Sequence, residues 1–235
     1  HFPAVEFEWA DLRHLDKVFE ADYLIHLAAI TNSGYAEKSP LETYEVNVLG
    51  TVNLLNHVRI NKRVLFPSTA LVYKASEQPI SETGETDLVT TYAQSKSIGE
   101  QVIKFGCQRM DVPYTIFRFF NIFGPGQLPM YIVPQVLRQI ADEGKVVIRN
   151  GAVIRDLLYV EDCIDAVLKL AGTTLLSVAA VAALQGDQRP DAHRGHLSVG
   201  AEVLGGRLSA LKNPTRRFSD LRPLVGQPSP LKLNV

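Results

Sequence analysis

The chain has 235 residues, 46% of them hydrophobic and 21% charged, with a formal net charge of −1. That is ordinary globular usage and excludes a disordered, coiled-coil or collagen-like chain. The balanced charge excludes a dedicated nucleic-acid binder, which carries a basic excess. No apolar run approaches the roughly 20 residues that cross a bilayer. The two cysteines, Cys107 and Cys163, give neither a disulfide framework nor metal-ligand spacing. A protein of the reducing cytoplasm, without nucleic-acid or membrane partners, is the expectation. The sequence opens on His1 with no initiator Met or signal peptide, so a missing front segment is expected.

Composition changes along the chain. Residues 172–235 carry a net charge of +4 and residues 1–171 a net of −5, and of 19 aromatic residues only Phe218 lies beyond position 171. Aromatics supply the largest apolar areas of a core. The reading is therefore an ordered body over 1–171 and a weakly structured segment over 172–235, whose one helical stretch is expected at Leu175–Leu184.

In chain order, the body alternates strands and helices. Asp22–Ala28 is a nearly continuous apolar run, the pattern of a parallel strand covered on both faces. A helix is predicted next, with Ser39 as cap, Pro40 at its first position and Glu42 completing a capping box. Leu41, Tyr44, Val48, Val52 and Leu55 then form one apolar stripe. Arg63–Ser68 reads as a second strand, Thr91–Met110 as a long helix and Pro113–Phe120 as a third strand. This order predicts an α/β fold, a doubly wound parallel sheet with helices on both faces. Ligands of such sheets bind beyond the carboxyl ends of the strands.

Polar residues cluster at those ends. Ser68 and Thr69 follow the second strand, the long helix opens with Thr91-Tyr92-Ala93-Gln94-Ser95-Lys96, and Asn121 closes the third strand. Tyr92 and Lys96 are four apart and share a helix face. An ammonium beside a phenol favours the phenolate and lowers a pKa that is ordinarily near 10. A tyrosine so tuned exchanges a proton with a sugar hydroxyl, and the Thr69 hydroxyl can hold the same oxygen. His26, inside an apolar strand, reads as a core histidine.

The ordered set HLAA, EVNVLGTVNLL, PSTALVY, YAQSK, RFFNIFGPGQ and IRDLLYVEDCIDA resembles the extended short-chain dehydrogenase/reductase family, in its nucleotide-sugar epimerase/dehydratase branch. The likeness covers about residues 8–171 and implies a Rossmann-like domain followed by a small substrate lobe. It implies Thr69, Tyr92 and Lys96 as catalytic set, with Tyr92 the acid/base and Lys96 its partner and ribose ligand. It implies cofactor contacts at Asp11, Leu12, Leu27, Ala28, Ala29, Asn47, Ser68, Tyr92, Lys96 and Phe119. Substrate contacts fall at Thr69, Asn121 and Arg155, the last with a guanidinium fork suited to a pyrophosphate. No metal is implied. The cofactor is NAD, with NADP left open, and the partners are a nucleotide sugar and a second copy of the chain, paired through the helices near 40–60 and 91–110.

Two departures from the family stand out. Its GxxGxxG turn, which seats the dinucleotide phosphates, is absent: the first glycine is Gly34. The resemblance implies two further strands and their helices ahead of the first predicted strand, so residues 1–171 are expected to form a partial cofactor domain. The 172–235 segment matches the family's substrate lobe only faintly. Ala70 and Leu71 follow Thr69 where dehydratases and decarboxylases of the branch carry acids. The resemblance thus implies an epimerase. The alternatives are a 4-keto-sugar reductase, an inactive truncated relative, or a non-catalytic binding module of the same fold.

Overall fold

The structure is a computed structural model describing residues 8–76, 78–144, 146–148 and 155–172, with strand backbone at 177–184, 196–203 and 206–207. Two parallel pairings organise its first part. Strand β1 (Phe19–Ile25) pairs with β2 (Val58–Thr69), and β2 pairs with β3 (Tyr114–Phe119). Strands β4 (Asn121–Phe123) and β5 (Leu157–Tyr159) make a separate parallel pair. Beyond β3 the larger sheet continues through β6 (Ser177–Leu184), β7 (His196–Val203) and β8 (Gly206–Arg207), in the order β1-β2-β3-β6-β7-β8. The architecture is the Rossmann-like α/β fold expected from the sequence. By compactness the chain forms two units, one running to Phe119 and rejoined by Val167–Ala180, the other built on Phe120–Ala166.

The helix between β1 and β2 is assembled from short pieces: α1 (Ser33–Lys38), α2 (Pro40–Tyr44), a wide π-type turn at Glu45–Leu49, and α3 (Gly50–Asn56). Pro40 does sit in the first turn of α2, but the predicted capping box does not form. Ser39 makes no side-chain cap bond. Its carbonyl accepts from Thr43 Oγ1 at 2.9 Å, and Glu42 accepts the Tyr35 hydroxyl at 2.5 Å. The preceding turn, α1, has taken the partners that the box needed. The predicted stripe also divides: Leu55 is buried, whereas Leu41 is 73% exposed and Val52 is exposed.

Helix α4 (Thr91–Met110) has the predicted bounds. Thr90 caps it by accepting from Ala93 N at 3.1 Å, and Glu37 of α1 accepts from Thr91 N at 2.6 Å. At the other end Asp111 adopts a left-handed conformation, φ 55°, and its N–H returns to the Cys107 and Gln108 carbonyls, a helix stop usually assigned to glycine. Ile103 and Cys107 of α4 join Leu55, Ile60, Val64, Phe66 and Ile116 in the main core cluster. Gly99 allows the close approach of helix and strand, since a Cβ there would lie 2.9 Å from Phe66 Cζ. Burial pushes the Cys107 thiol up to about 12 and the Cys163 thiol up to about 11, so both are packing residues.

Two strand and helix expectations are corrected. The first strand ends at Ile25 rather than Ala28 and is not covered on both faces. It stands at the end of the sheet order, with Tyr23 and Ile25 both exposed. The stretch expected as a helix at Leu175–Leu184 is strand β6 over Ser177–Leu184. A short Ala/Val run satisfies either period, and a place between β3 and β7 decides for the sheet. Apart from these strands, the expectations for 172–235, including the substrate lobe, lie outside the described residues.

Candidate active site at the carboxyl ends of the central strands

Strand register brings several of the singled-out residues together. Thr69 and Phe119 are partners across β2 and β3, as are Ser68 and Arg118 one step earlier. Thr69 and Phe119 are both buried. The Thr69 hydroxyl accepts from Leu71 N at 3.2 Å, which turns the chain sharply after β2 into the short helical turn Ala70–Val72. Phe119 stacks on Phe117 with ring centres 5.5 Å apart.

Tyr92 and Lys96 occupy the first two turns of α4. The Lys96 side chain is buried, and Nζ lies over the Phe66 ring, 4.1 Å from its centre. Burial pushes the lysine down to about 8, and the Glu100 carboxylate opposes that fall. The sign favours catalysis, because a lysine that stays an ammonium at neutral pH stabilises a nearby phenolate.

Asn47 holds this turn in place from the middle of the π-type turn. Its Oδ1 accepts from Ile30 N at 2.7 Å, and its Nδ2 donates to Ile30 O at 3.0 Å and to Ser95 Oγ at 2.9 Å. Ser95 in turn donates to the Tyr92 carbonyl at 2.8 Å. One buried amide therefore joins the loop after β1 to the helix turn that carries Tyr92. A wide turn inside a helix often marks a functional position, and here it faces Asn47 inward.

His26 is the core histidine expected. Nε2 is 2.8 Å from Thr51 Oγ1, and the Thr51 hydroxyl donates to Asn47 O at 2.7 Å. With its hydroxyl proton so used, Thr51 accepts from His26. Burial, reinforced by the Lys96 charge, pushes the imidazole down to about 4.

The remaining residues of the cofactor set sit on loops. Leu27 is 72% exposed, Ala28 is exposed and Ala29 half-buried, just past β1. Asp11 forms a bidentate pair with Arg13, at 3.0 and 2.6 Å, whose hydrogen bonds hold its carboxyl well below the usual range. The Leu12 carbonyl accepts from Asn53 Nδ2 at 2.7 Å, fixing this turn to α3. Ser68 donates its hydroxyl to Glu100 Oε1 at 2.6 Å. In the second unit, Asn121 pairs with Leu157 in the β4–β5 register, and Asn121 Nδ2 donates to the Asp156 carbonyl at 3.1 Å. Arg155, exposed, is thereby placed beside Asn121 in the fold. Among the described residues no cluster of His, Cys, Asp and Glu could hold a metal ion, and no helix is long and apolar enough to cross a membrane.

Glu100 escaped the sequence reading. It is 1% exposed and accepts from Ser68 and from Arg118 Nε and Nη2, at 2.9 and 2.7 Å. The only signal was its place four residues after Lys96, a spacing that also describes any solvated pair on a helix surface.

Tyr92 and Lys96 thus share one face of α4, which packs on β2, and Thr69 stands at the carboxyl end of β2. The sequence profile of the NAD dependent epimerase/dehydratase family matches residues 2–175, and the chain belongs to that family. It is 28% identical over 166 residues to UDP-glucose 4-epimerase of Lactobacillus helveticus, covering 62% of this chain and 50% of that protein. It superimposes on UDP-N-acetylglucosamine 4-epimerase from Methanobrevibacter ruminantium M1 with TM-score 0.64 and 27% identity, over 74% of this chain and 58% of that one. It also matches RMD from Pseudomonas aeruginosa, solved with NADPH, with TM-score 0.69 and 27% identity, over 76% and 67% of the two chains. The chain thus spans about half to two thirds of the length of these relatives.

Proposed function

We propose that this chain carries the catalytic face of a nucleotide-sugar epimerase, working by oxidation and re-reduction at a sugar carbon. The observation that carries the reading is the placing of Tyr92 and Lys96 on α4, a helix anchored by Asn47 and packed on β2, whose carboxyl end bears Thr69. NAD, when bound, supplies the acceptor and donor of hydrogen at that carbon. Lys96 and Tyr92 would hold its nicotinamide ribose, Phe119 and Ser68 would border the ring, Leu27–Ala29 would line its path, and Asp11 and Leu12 would meet the adenine. The residues present fit that group at its ribose and nicotinamide end: two alanines follow Leu27 after β1, and a buried lysine lies one helical turn from the candidate phenol. They offer no glycine turn for its phosphates.

Tyr92 takes the proton from the sugar hydroxyl as the carbon is oxidised and returns it on re-reduction. Lys96 keeps the phenolate accessible, Thr69 fixes the oxygen, and Asn121 and Arg155 grip the nucleotide phosphates. Ala70 and Leu71 put no carboxylate beside Thr69, which leaves elimination without its acid and base. Calorimetry with NAD tests the cofactor half of the reading. Binding much weaker than micromolar is expected of the 235 residues, and a preceding glycine-rich segment of the family type should restore it. Micromolar binding by the chain alone would show that the phosphates are held by other means.

The partner is a second copy. Leu41, Leu49 and Val52 of the segmented helix and Ile98 and Phe105 of α4 are exposed apolar residues on two packed helices, and apolar surface of this kind suits a partner. Light scattering should give a dimer at tens of micromolar, and a monomer there would remove this part of the reading.

A further inference from the structure

A second constellation lies directly beneath the candidate catalytic residues. Ser68 and Arg118 are register partners, and both bond the Glu100 carboxylate: Ser68 Oγ at 2.6 Å, Arg118 Nε at 2.9 Å and Nη2 at 2.7 Å. Each of the three is an immediate neighbour of a candidate site residue. Ser68 precedes Thr69, Arg118 precedes Phe119, and Glu100 lies one helical turn from Lys96 on the same face. Arg118 also reaches the chain between β2 and α4, donating to the Glu82 carbonyl at 3.2 Å and lying over the Tyr73 ring at 4.9 Å.

Stability alone is a poor reason for such a pair. Glu100 is 1% exposed and the Arg118 side chain 12%. A buried ion pair of this kind is often replaced by apolar residues with no loss of stability. What an apolar replacement could not supply is a fixed negative charge one turn from a buried lysine. The groups facing Lys96 are few. His26 beyond β1 is held neutral by burial, Tyr92 precedes it on α4, Glu100 follows it, and Arg118 lies beyond Glu100 on β3. Phe66 under Nζ contributes only its ring face. Glu100 is the single carboxylate of this set.

We propose that Glu100 is a positioning residue that ties the ends of β2 and β3 to the helix turn carrying Lys96, and that its carboxylate, one turn away on the same face, is the counter-charge to the Lys96 ammonium. The proposal rests on the reading of Lys96 as the partner of Tyr92. In that scheme Glu100 touches neither substrate nor cofactor. It acts through Lys96, by charge, and through Thr69 and Phe119, by holding their strand neighbours.

The test uses the 235-residue chain, labelled with ¹³C and ¹⁵N, with the Lys96 Cε resonance assigned by Lys96→Met and followed against pH. Lys96 should titrate near 8 in the parent. In Glu100→Gln, which keeps the shape and removes the charge, its midpoint should fall by about one pH unit or more. If that variant unfolds because Arg118 is left unpaired, Glu100→Gln/Arg118→Met removes both charges and restores a neutral interior. The Lys96 midpoint should still fall, because Glu100 shares the helix of Lys96, one turn away, whereas Arg118 stands on β3. An unchanged midpoint in a folded variant would overturn the proposal. In protein made active by a preceding glycine-rich segment, the alkaline limb of kcat should move to lower pH with the Lys96 midpoint while KM changes little. A shifted Lys96 with an unmoved kcat profile would leave the hold of Glu100 on Lys96 standing and defeat the catalytic reading of Lys96 itself.

Discussion

Replacing Tyr92 with phenylalanine is expected to lower turnover by about 10²–10⁴-fold, the range for loss of a general acid/base, while nucleotide-sugar binding changes little. The ring stays, so the half-buried packing of Tyr92 and the helix cap at Thr90 are kept. Only the hydroxyl is lost, and in the proposed scheme it is the sole proton carrier at the reacting oxygen. Arg155→Ala should do the reverse: a charge-assisted contact to a phosphate is lost, raising KM by roughly tenfold with kcat nearly unchanged. Steady-state kinetics of the two variants, in protein supplied with the glycine-rich turn, separates the roles. Near-parental kcat in Tyr92→Phe would remove Tyr92 from the chemistry.

Asn47→Ala should be the most damaging single change to the framework. Its amide is buried and bonded three times, to both backbone groups of Ile30 and to Ser95. Truncation leaves those partners without their bonds, and each buried group so abandoned costs about 1–3 kcal/mol. A total loss of about 2–4 kcal/mol follows, because the half-buried Ile30 regains some water. For a chain of this size that lowers Tm by roughly 5–15 °C. Asn47→Asp should not rescue it, since the second oxygen would face the Ile30 carbonyl where an N–H now donates. A melting curve for Asn47→Ala that overlays the parent would show that the loop after β1 is held otherwise.

The parts of this fold legible in the sequence are those whose patterns are long and locally consistent. Helix α4 was legible at about Thr91–Met110 from an apolar side at Ile98, Val102 and Phe105, and its bounds hold although Ile98 and Phe105 stay exposed. Strands β2 and β3 were legible from their apolar runs, but the polar start of β2 was not: the strand begins at Val58, five residues before the predicted Arg63. Where a residue had two partners to choose from, the sequence misled. Ser39 and Glu42 have the spacing of a capping box, but Tyr35 took both groups: its carbonyl accepts from Ser39 N at 2.9 Å and its hydroxyl donates to Glu42. The run at 22–28 reads as a covered strand, yet coverage depends on neighbours that lie elsewhere in the chain, and β1 stands at the end of the sheet. The Ala/Val run at 177–184 carried helix propensity, and pairing in the sheet overrode it.

For the candidate site, spacing singled out Tyr92 and Lys96, the strand end singled out Thr69, and family resemblance added Asn47 and Phe119. Neither found Glu100. Its partners Ser68 and Arg118 are 32 and 18 residues away, and a carboxylate that is surrounded by the fold reads in sequence as one more exposed charge. Long-range polar satisfaction of this kind becomes visible only when the strands are in register.

Product analysis tests the central claim most directly. A panel of nucleotide sugars would be incubated with NAD and the protein bearing a family-type glycine segment, with products followed by proton NMR. Epimerisation of a member of the panel at one sugar carbon with no net change in NAD, lost in Tyr92→Phe, is the outcome expected of the proposed set Thr69, Tyr92 and Lys96 working without an acid at positions 70 and 71. A dehydrated 4-keto sugar, or turnover that persists without the Tyr92 hydroxyl, would contradict it.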